Sequence, residues 1–164
     1  MADQTDRILS TLNQRGVNYL LIGGLNFLLR HAPVLTYDVD VWIEDTKANC
    51  RRCETALADL RAEWGASDED WGPVLEKPSD WLLRQAVCCL TSEAGAIDIF
   101  RAVVGLDSWA ACRARAAACR TALGTTFWGL ADADMLQCQL ALPEGRRNEA
   151  RIRYLQNVLA QKQS

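Results

Sequence analysis

Thr36-Tyr37-Asp38-Val39-Asp40-Val41-Trp42-Ile43 is the stretch on which the fold turns. From Tyr37 to Ile43 the residues alternate with the two-residue period of a half-buried strand. Val39, Val41 and Ile43 lie on one face and Asp38, Asp40 and Trp42 on the other. Carboxylates at i and i+2 of a strand project from the same face and converge. Left bare they repel each other, and a hard divalent cation, Mg²⁺ or Mn²⁺, relieves that repulsion while also taking substrate phosphate oxygens.

Upstream, Val17 to Ile22 is a short apolar run rich in strand formers. It ends at Gly23-Gly24, after which Leu25 to Arg30 has helical character up to a break at Pro33. Glycines let backbone approach a phosphate, and the first amides of the following helix favour an anion. The same pair could also serve only as a tight turn.

Downstream, Trp81–Leu90 and Ala96–Phe100 read as a hairpin joined by Thr91-Ser92-Glu93-Ala94-Gly95. Asp98 sits between Ile97 and Ile99, which face the core, so it points away from that core and can supply a third ligand. Three carboxylates can position two ions ~3.5–4 Å apart, the arrangement of phosphoryl-transfer chemistry.

Around this centre the pattern predicts helices over Asp3–Arg15, Lys47–Trp64, Ser108–Ala118, Ala131–Leu142 and Asn148–Gln161. It also predicts a loop at Ser67–Trp71 and a strand at Thr121–Trp128. The expected result is an α/β (α+β) fold, a mixed sheet flanked by helices with C-terminal helices. We expect a single domain over residues 1–164, its core at about 17–130 and a helical part at about 131–164.

A net charge of −3 and a pI near 5.2 argue against non-specific attraction to nucleic acid backbones. No stretch approaches the ~20 apolar residues of a membrane span, and Met1–Arg7 has no apolar signal segment, so a cytoplasmic location without membrane contact is expected. Seven cysteines, two of them adjacent at Cys88-Cys89, fit reduced and largely buried thiols. Cys50-Arg51-Arg52-Cys53 falls inside a predicted helix without a second paired motif, which speaks against zinc and leaves redox chemistry a weak alternative. His31, the single histidine, borders the Gly-Gly helix. The tryptophans are scattered as for core packing, Trp42 alone sharing the aspartate face. Arg146, Arg147, Arg151 and Arg153 form a basic cluster that is either a solvated face or a contact for phosphate, RNA or a protein partner.

Apolar strand, Gly23-Gly24, helix, Thr36-Tyr37-Asp38-Val39-Asp40 and later Gly95-Ala96-Ile97-Asp98-Ile99-Phe100 follow one another in an order that resembles the nucleotidyltransferase superfamily that includes polymerase beta. The likeness is strongest to its small prokaryotic branch, related to abortive-infection and toxin–antitoxin nucleotidyltransferases, and runs from Val17 to Leu155. It implies a metal-dependent enzyme that moves a nucleoside monophosphate from a nucleoside triphosphate to an acceptor hydroxyl on a small molecule, a protein or RNA, releasing pyrophosphate. Asp38, Asp40 and Asp98 would be the catalytic, metal-holding residues, with Asp98 helping to activate the acceptor, and Gly23, Gly24 and Thr36 the nucleotide-binding ones. Val34 stands where that branch often carries Arg, and Gln137 and Gln139 where relatives commonly carry Lys. Arg30, Arg84, Arg101, Arg146 and Arg147 are the expected substitutes for the missing charge. The alternative is a catalytically silent binding module of the same fold, such as a toxin–antitoxin subunit bound to its partner.

Overall fold

Leu20-Leu21-Ile22 and Val39 to Ile43 carry apolar side chains toward both faces, which places their strands in the middle of a sheet covered on two sides. A computed structural model describes residues 2–164. Strands β1 (Tyr19–Ile22) and β2 (Asp38–Ile43) pair antiparallel at its centre, joined through helix α2 (Gly23–Arg30). Helix α1 (Ala2–Gln14) precedes them, and helix α3 (Lys47–Asp59) follows with Thr46 capping its first turn through the Asn49 amide.

Beyond α3, β3 (Glu63–Trp64) and β4 (Gly72–Pro73) form a separate two-stranded ribbon. Strands β5 (Val87–Leu90) and β6 (Ala96–Phe100), helix α4 (Trp109–Arg115), and strands β7 (Ala117–Arg120) and β8 (Thr126–Gly129) come next, followed by helices α5 (Asp132–Leu140) and α6 (Glu149–Lys162). The main sheet has six strands in the order β5-β6-β2-β1-β8-β7. β2 runs parallel to β6 and β1 parallel to β8, while the other neighbours are antiparallel. The expected mixed α/β architecture is thus present.

Each sheet face has its own core. On one, Val39, Val41, Ile43, Ile97 and Ile99 pack with Ile8, Leu9 and Leu12 of α1 and with Cys53, Ala56 and Leu57 of α3. On the other, Leu20, Ile22 and Trp42 pack with Phe27, Met135 of α5 and Leu155 of α6. Burying a side chain of this size contributes about 1.5–3 kcal/mol, so both helical layers are held mainly by their apolar faces. No helix among the described residues is long and apolar enough to cross a membrane.

Four elements differ from the sequence reading. The strand expected over Thr121–Trp128 forms only at Thr126–Gly129, because Thr121 to Thr125 close a turn in which the Thr121 amide donates to the Thr125 carbonyl and the Gly124 amide to the Thr121 carbonyl. Helix α3 stops at Asp59 rather than Trp64, because Arg61 takes a left-handed φ of 51° and turns the chain into β3. Trp81–Leu90 is not one strand: Trp81–Arg84 is a 3₁₀ turn, held where Glu54 accepts from the Asp80 and Leu82 amides, and pairing starts only at Val87. Helix α4 begins at the expected Ser108 cap but ends at Arg115, and Ala117–Arg120 instead forms an edge strand on β8. Ala-Ala-Cys-Arg has little strand propensity of its own, and pairing with Thr126-Phe127-Trp128 overrides it.

Candidate functional site

Strand register builds the site. Asp40 on β2 lies opposite Ile22 of β1 on one side and Asp98 of β6 on the other, and Asp98 in turn lies opposite Cys89 of β5. Asp38, two residues before Asp40 on the same face, starts β2 beside Ala96. The carboxylates of Asp38, Asp40 and Asp98 each offer an oxygen within 4.8 Å of the others. Asp38 is exposed, and Asp40 and Asp98 are half-buried.

Crowding of like charge shows in their protonation. Burial, then the negative charges of Asp98 and Asp38, push Asp40 up to about 7. Asp98 is also raised, chiefly by burial, and the Cys89 thiol beside it is pushed up to about 11 by burial and by the Asp98 charge. Three hard oxygen donors that cannot comfortably all ionise together fit a divalent cation, whose charge would relieve the strain.

Next to this cluster lies the glycine turn. Gly23 has φ +71°, a left-handed conformation that side-chain-bearing residues rarely adopt, and a Cβ there would collide with Oδ2 of Asp40. A Cβ on Gly24 would stand 3.1 Å from Oγ1 of Thr36. The turn, Thr36 and Asp40 are therefore in one place. Helix α2 begins at Ile22-Gly23 with no side-chain cap, which leaves its first amides unclaimed and pointing out of the turn.

Helix α2 is fixed from behind. Fully buried Asn26 donates Nδ2 to the Leu130 carbonyl at 3.1 Å, where β8 ends. Buried Asp132 receives Arg30 at 2.9 Å, His31 at 2.7 Å and Lys162 at 2.8 Å. Burial would raise Asp132, yet hydrogen bonds from Lys162 and His31 and the Arg30 charge hold it below the ordinary carboxylate value. His31 does border the Gly-Gly helix, as its C-terminal cap residue.

Four of the five arginines expected to replace the missing charge are committed elsewhere. Arg30 pairs with Asp132, Arg84 with Asp70 and Arg101 with Asp45. Arg147 donates to the Leu140 and Leu142 carbonyls, and Arg146 is exposed in the turn before α6. The cation that does reach the turn is Arg151 of α6, its Nη2 3.4 Å from the Cβ position of Gly24 and its Cζ 5.2 Å from the Phe27 ring. Burial lowers its pKa and the Asp40 charge opposes that shift. A sequence signal for it existed: Ile152 and Leu155 fix the buried face of α6, and Arg151 is adjacent to that face.

Other features read from the sequence settle into packing. Trp42 shares the aspartate face but is buried, its indole N–H donating to the Arg101 carbonyl at 3.3 Å, so it offers no open stacking surface. Cys50 and Cys53 are buried in the core, and burial pushes the Cys50 thiol up to about 11 and the Cys53 thiol further, the reverse of a reactive redox pair. A groove of about 620 Å³, lined by Tyr19, Trp109, Arg113 and Trp128, lies at the other end of β1 from the carboxylates.

No protein-family model matches the chain, and no curated protein matches it. Solved structures do. The crystal structure of the lincosamide antibiotic adenylyltransferase LnuA with lincomycin bound superposes with a TM-score of 0.63 and 13% identity, over 96% of this chain and 98% of that one. The solution structure of the antibiotic-resistance factor ANT(2'')-Ia gives a TM-score of 0.56 and 11% identity, over 94% of this chain and 80% of that one. In fold, then, this chain is a nucleotidyltransferase-like α/β protein.

Proposed function

We propose that the protein is a metal-dependent nucleotidyltransferase that moves a nucleoside monophosphate from a nucleoside triphosphate to an acceptor hydroxyl. The observation that carries this reading is the convergence of Asp38, Asp40 and Asp98 beside an uncapped, glycine-opened helix N-terminus. In this reading Asp38, Asp40 and Asp98 hold Mg²⁺ or Mn²⁺. Bound there, the cation supplies charge neutralisation at the reacting phosphate and lowers the pKa of the acceptor hydroxyl.

The residues divide the rest of the work. Gly23 and Gly24 admit the phosphates close to backbone, and the first amides of α2 and the Thr36 hydroxyl hydrogen-bond them. Asp98, on the far side of Asp40 from the turn, accepts the proton of the acceptor hydroxyl. The acceptor oxygen bonds to the α-phosphorus, the bond from that phosphorus to the bridging oxygen breaks, and pyrophosphate leaves on the glycine side.

A small-molecule acceptor is favoured over RNA, a protein or a toxin–antitoxin partner, since the LnuA structure of this fold holds lincomycin. The carboxylates and the glycine turn, all retained, speak for an enzyme over a silent module. The test is incubation with each α-labelled nucleoside triphosphate, Mg²⁺ or Mn²⁺, and a panel of hydroxylated antibiotics and cell metabolites, against the Asp38→Asn/Asp40→Asn variant. Label transferred with pyrophosphate release by wild type alone is the expected result. Failure of wild type to bind any triphosphate in the presence of metal overturns the reading.

A further inference from the structure

Helix α6 delivers to the glycine turn a cation that the chain itself leaves without a partner. Arg151 is half-buried, its Nε is buried without a hydrogen-bond partner, and its guanidinium makes no ion pair among the described residues. Such a group is costly, because burial strips water from five donors that need acceptors. Arg30, which is also turned inward, has a carboxylate in Asp132.

What would complete Arg151 is set by its surroundings. Phe27 covers one side of the guanidinium, and Nη2 and the Thr36 hydroxyl both approach Gly24, in the first turn of α2, whose amides have no side-chain cap. Donors from three elements thus meet at one place, where Nε of Arg151 finds no acceptor among the described residues. A tetrahedral oxyanion answers all three, and a guanidinium fork is matched to phosphate oxygens.

We propose that Arg151 is the phosphate clamp of this chain, holding the pyrophosphate end of the nucleotide against the Gly23-Gly24 turn and thereby making nucleotide binding depend on the docking of α6. This rests on the nucleotidyltransferase reading above. It accounts for the departures at Val34, Gln137 and Gln139: the positive charge is not lost but carried on the last helix. Docking of that helix is secured by Leu155 in the core, by Tyr154 edge-on to Phe27 at 5.2 Å, and by the Lys162–Asp132 ion pair.

The experiment measures binding of tripolyphosphate, and of the α,β-methylene analogues of the four nucleoside triphosphates with Mn²⁺, by calorimetry. Wild type is compared with Arg151→Gln, Arg151→Lys and Arg153→Gln, the last an exposed arginine of the same helix. Loss of one charge-assisted contact predicts about 10- to 100-fold weaker binding for Arg151→Gln, partial recovery for Arg151→Lys and no change for Arg153→Gln. Ligand-free Arg151→Gln should melt no lower than wild type, since the substitution removes an unpaired guanidinium, whereas a merely structural arginine would lower the Tm in both Arg151 variants. Equal nucleotide binding by wild type and Arg151→Gln overturns the clamp and leaves the enzyme reading standing. Arg151-dependent binding of tripolyphosphate without any nucleotide binding overturns both the enzyme reading and the nucleotide clamp, as does binding of neither.

Discussion

Asp40 and Gly23 occupy each other's space: Oδ2 of Asp40 fills the position where a Cβ on residue 23 would stand, and the backbone of Gly23 turns there with φ +71°. The first turn of α2 can therefore sit directly against the carboxylate cluster only while residue 23 has no side chain. The first amides of α2 and the oxygens of the carboxylate cluster are brought together by this one close approach.

Gly23→Ala tests that approach. The left-handed backbone alone costs roughly 1–2 kcal/mol with a Cβ present, and the methyl must also displace Asp40. The variant should keep a native circular dichroism spectrum but lose the rise in Tm that Mn²⁺ gives wild type. A Mn²⁺-induced shift equal to that of wild type would show that Asp40 is not positioned through Gly23.

Asp40 also makes stability depend on pH. Its folded value of about 7 lies above the ordinary 3.8, so between these values the folded chain binds more protons than the unfolded one. Metal-free wild type should accordingly lose stability as pH rises from about 4 to about 7, with no further change from this group above that. Because the carboxyl is only partly buried, the expected size is on the order of 1 kcal/mol, or about 2–4 °C in Tm. Asp40→Asn should lack this part of the pH slope and be the more stable protein at ~pH 8 without metal; matching slopes in thermal melts of the two proteins would refute the assignment.

The same proton competes with the cation. A carboxylate must be ionised to hold metal, so Mn²⁺ affinity should rise about tenfold per pH unit below about 7 and level off above it. Titration of Mn²⁺ by electron paramagnetic resonance checks this. An affinity flat across that range would mean that Asp40 does not ligate.

Asp132 holds α2 and α6 together through Arg30, His31 and Lys162. Asp132→Asn leaves the inward-facing Arg30 uncompensated and should cost about 3 kcal/mol in denaturant unfolding. It should weaken nucleotide binding as well, without touching the carboxylate cluster. Unchanged stability would remove the anchoring role.

The local chemistry of this protein is legible in short runs of its residues. Alternation from Tyr37 to Ile43 put Asp38 and Asp40 on one face, Ile97 and Ile99 turned Asp98 away from their core, and Gly23-Gly24 marked the turn before α2. These readings rest on two-residue strand periodicity and on the backbone freedom of glycine, both properties of a few adjacent residues. That Asp40 and Asp98 lie opposite each other follows from strand pairing, because the β2–β6 register joins strands far apart in the chain. Strand pairing likewise makes Ala117–Arg120 an edge strand, since that segment takes its conformation from β8 rather than from its own residues. And the tertiary structure brought Arg151, one of four neighbouring arginines, to the glycine turn: the spacing of Ile152 and Leu155 marks the buried face of α6 and puts Arg151 beside it, but which element that face meets is a non-local packing outcome.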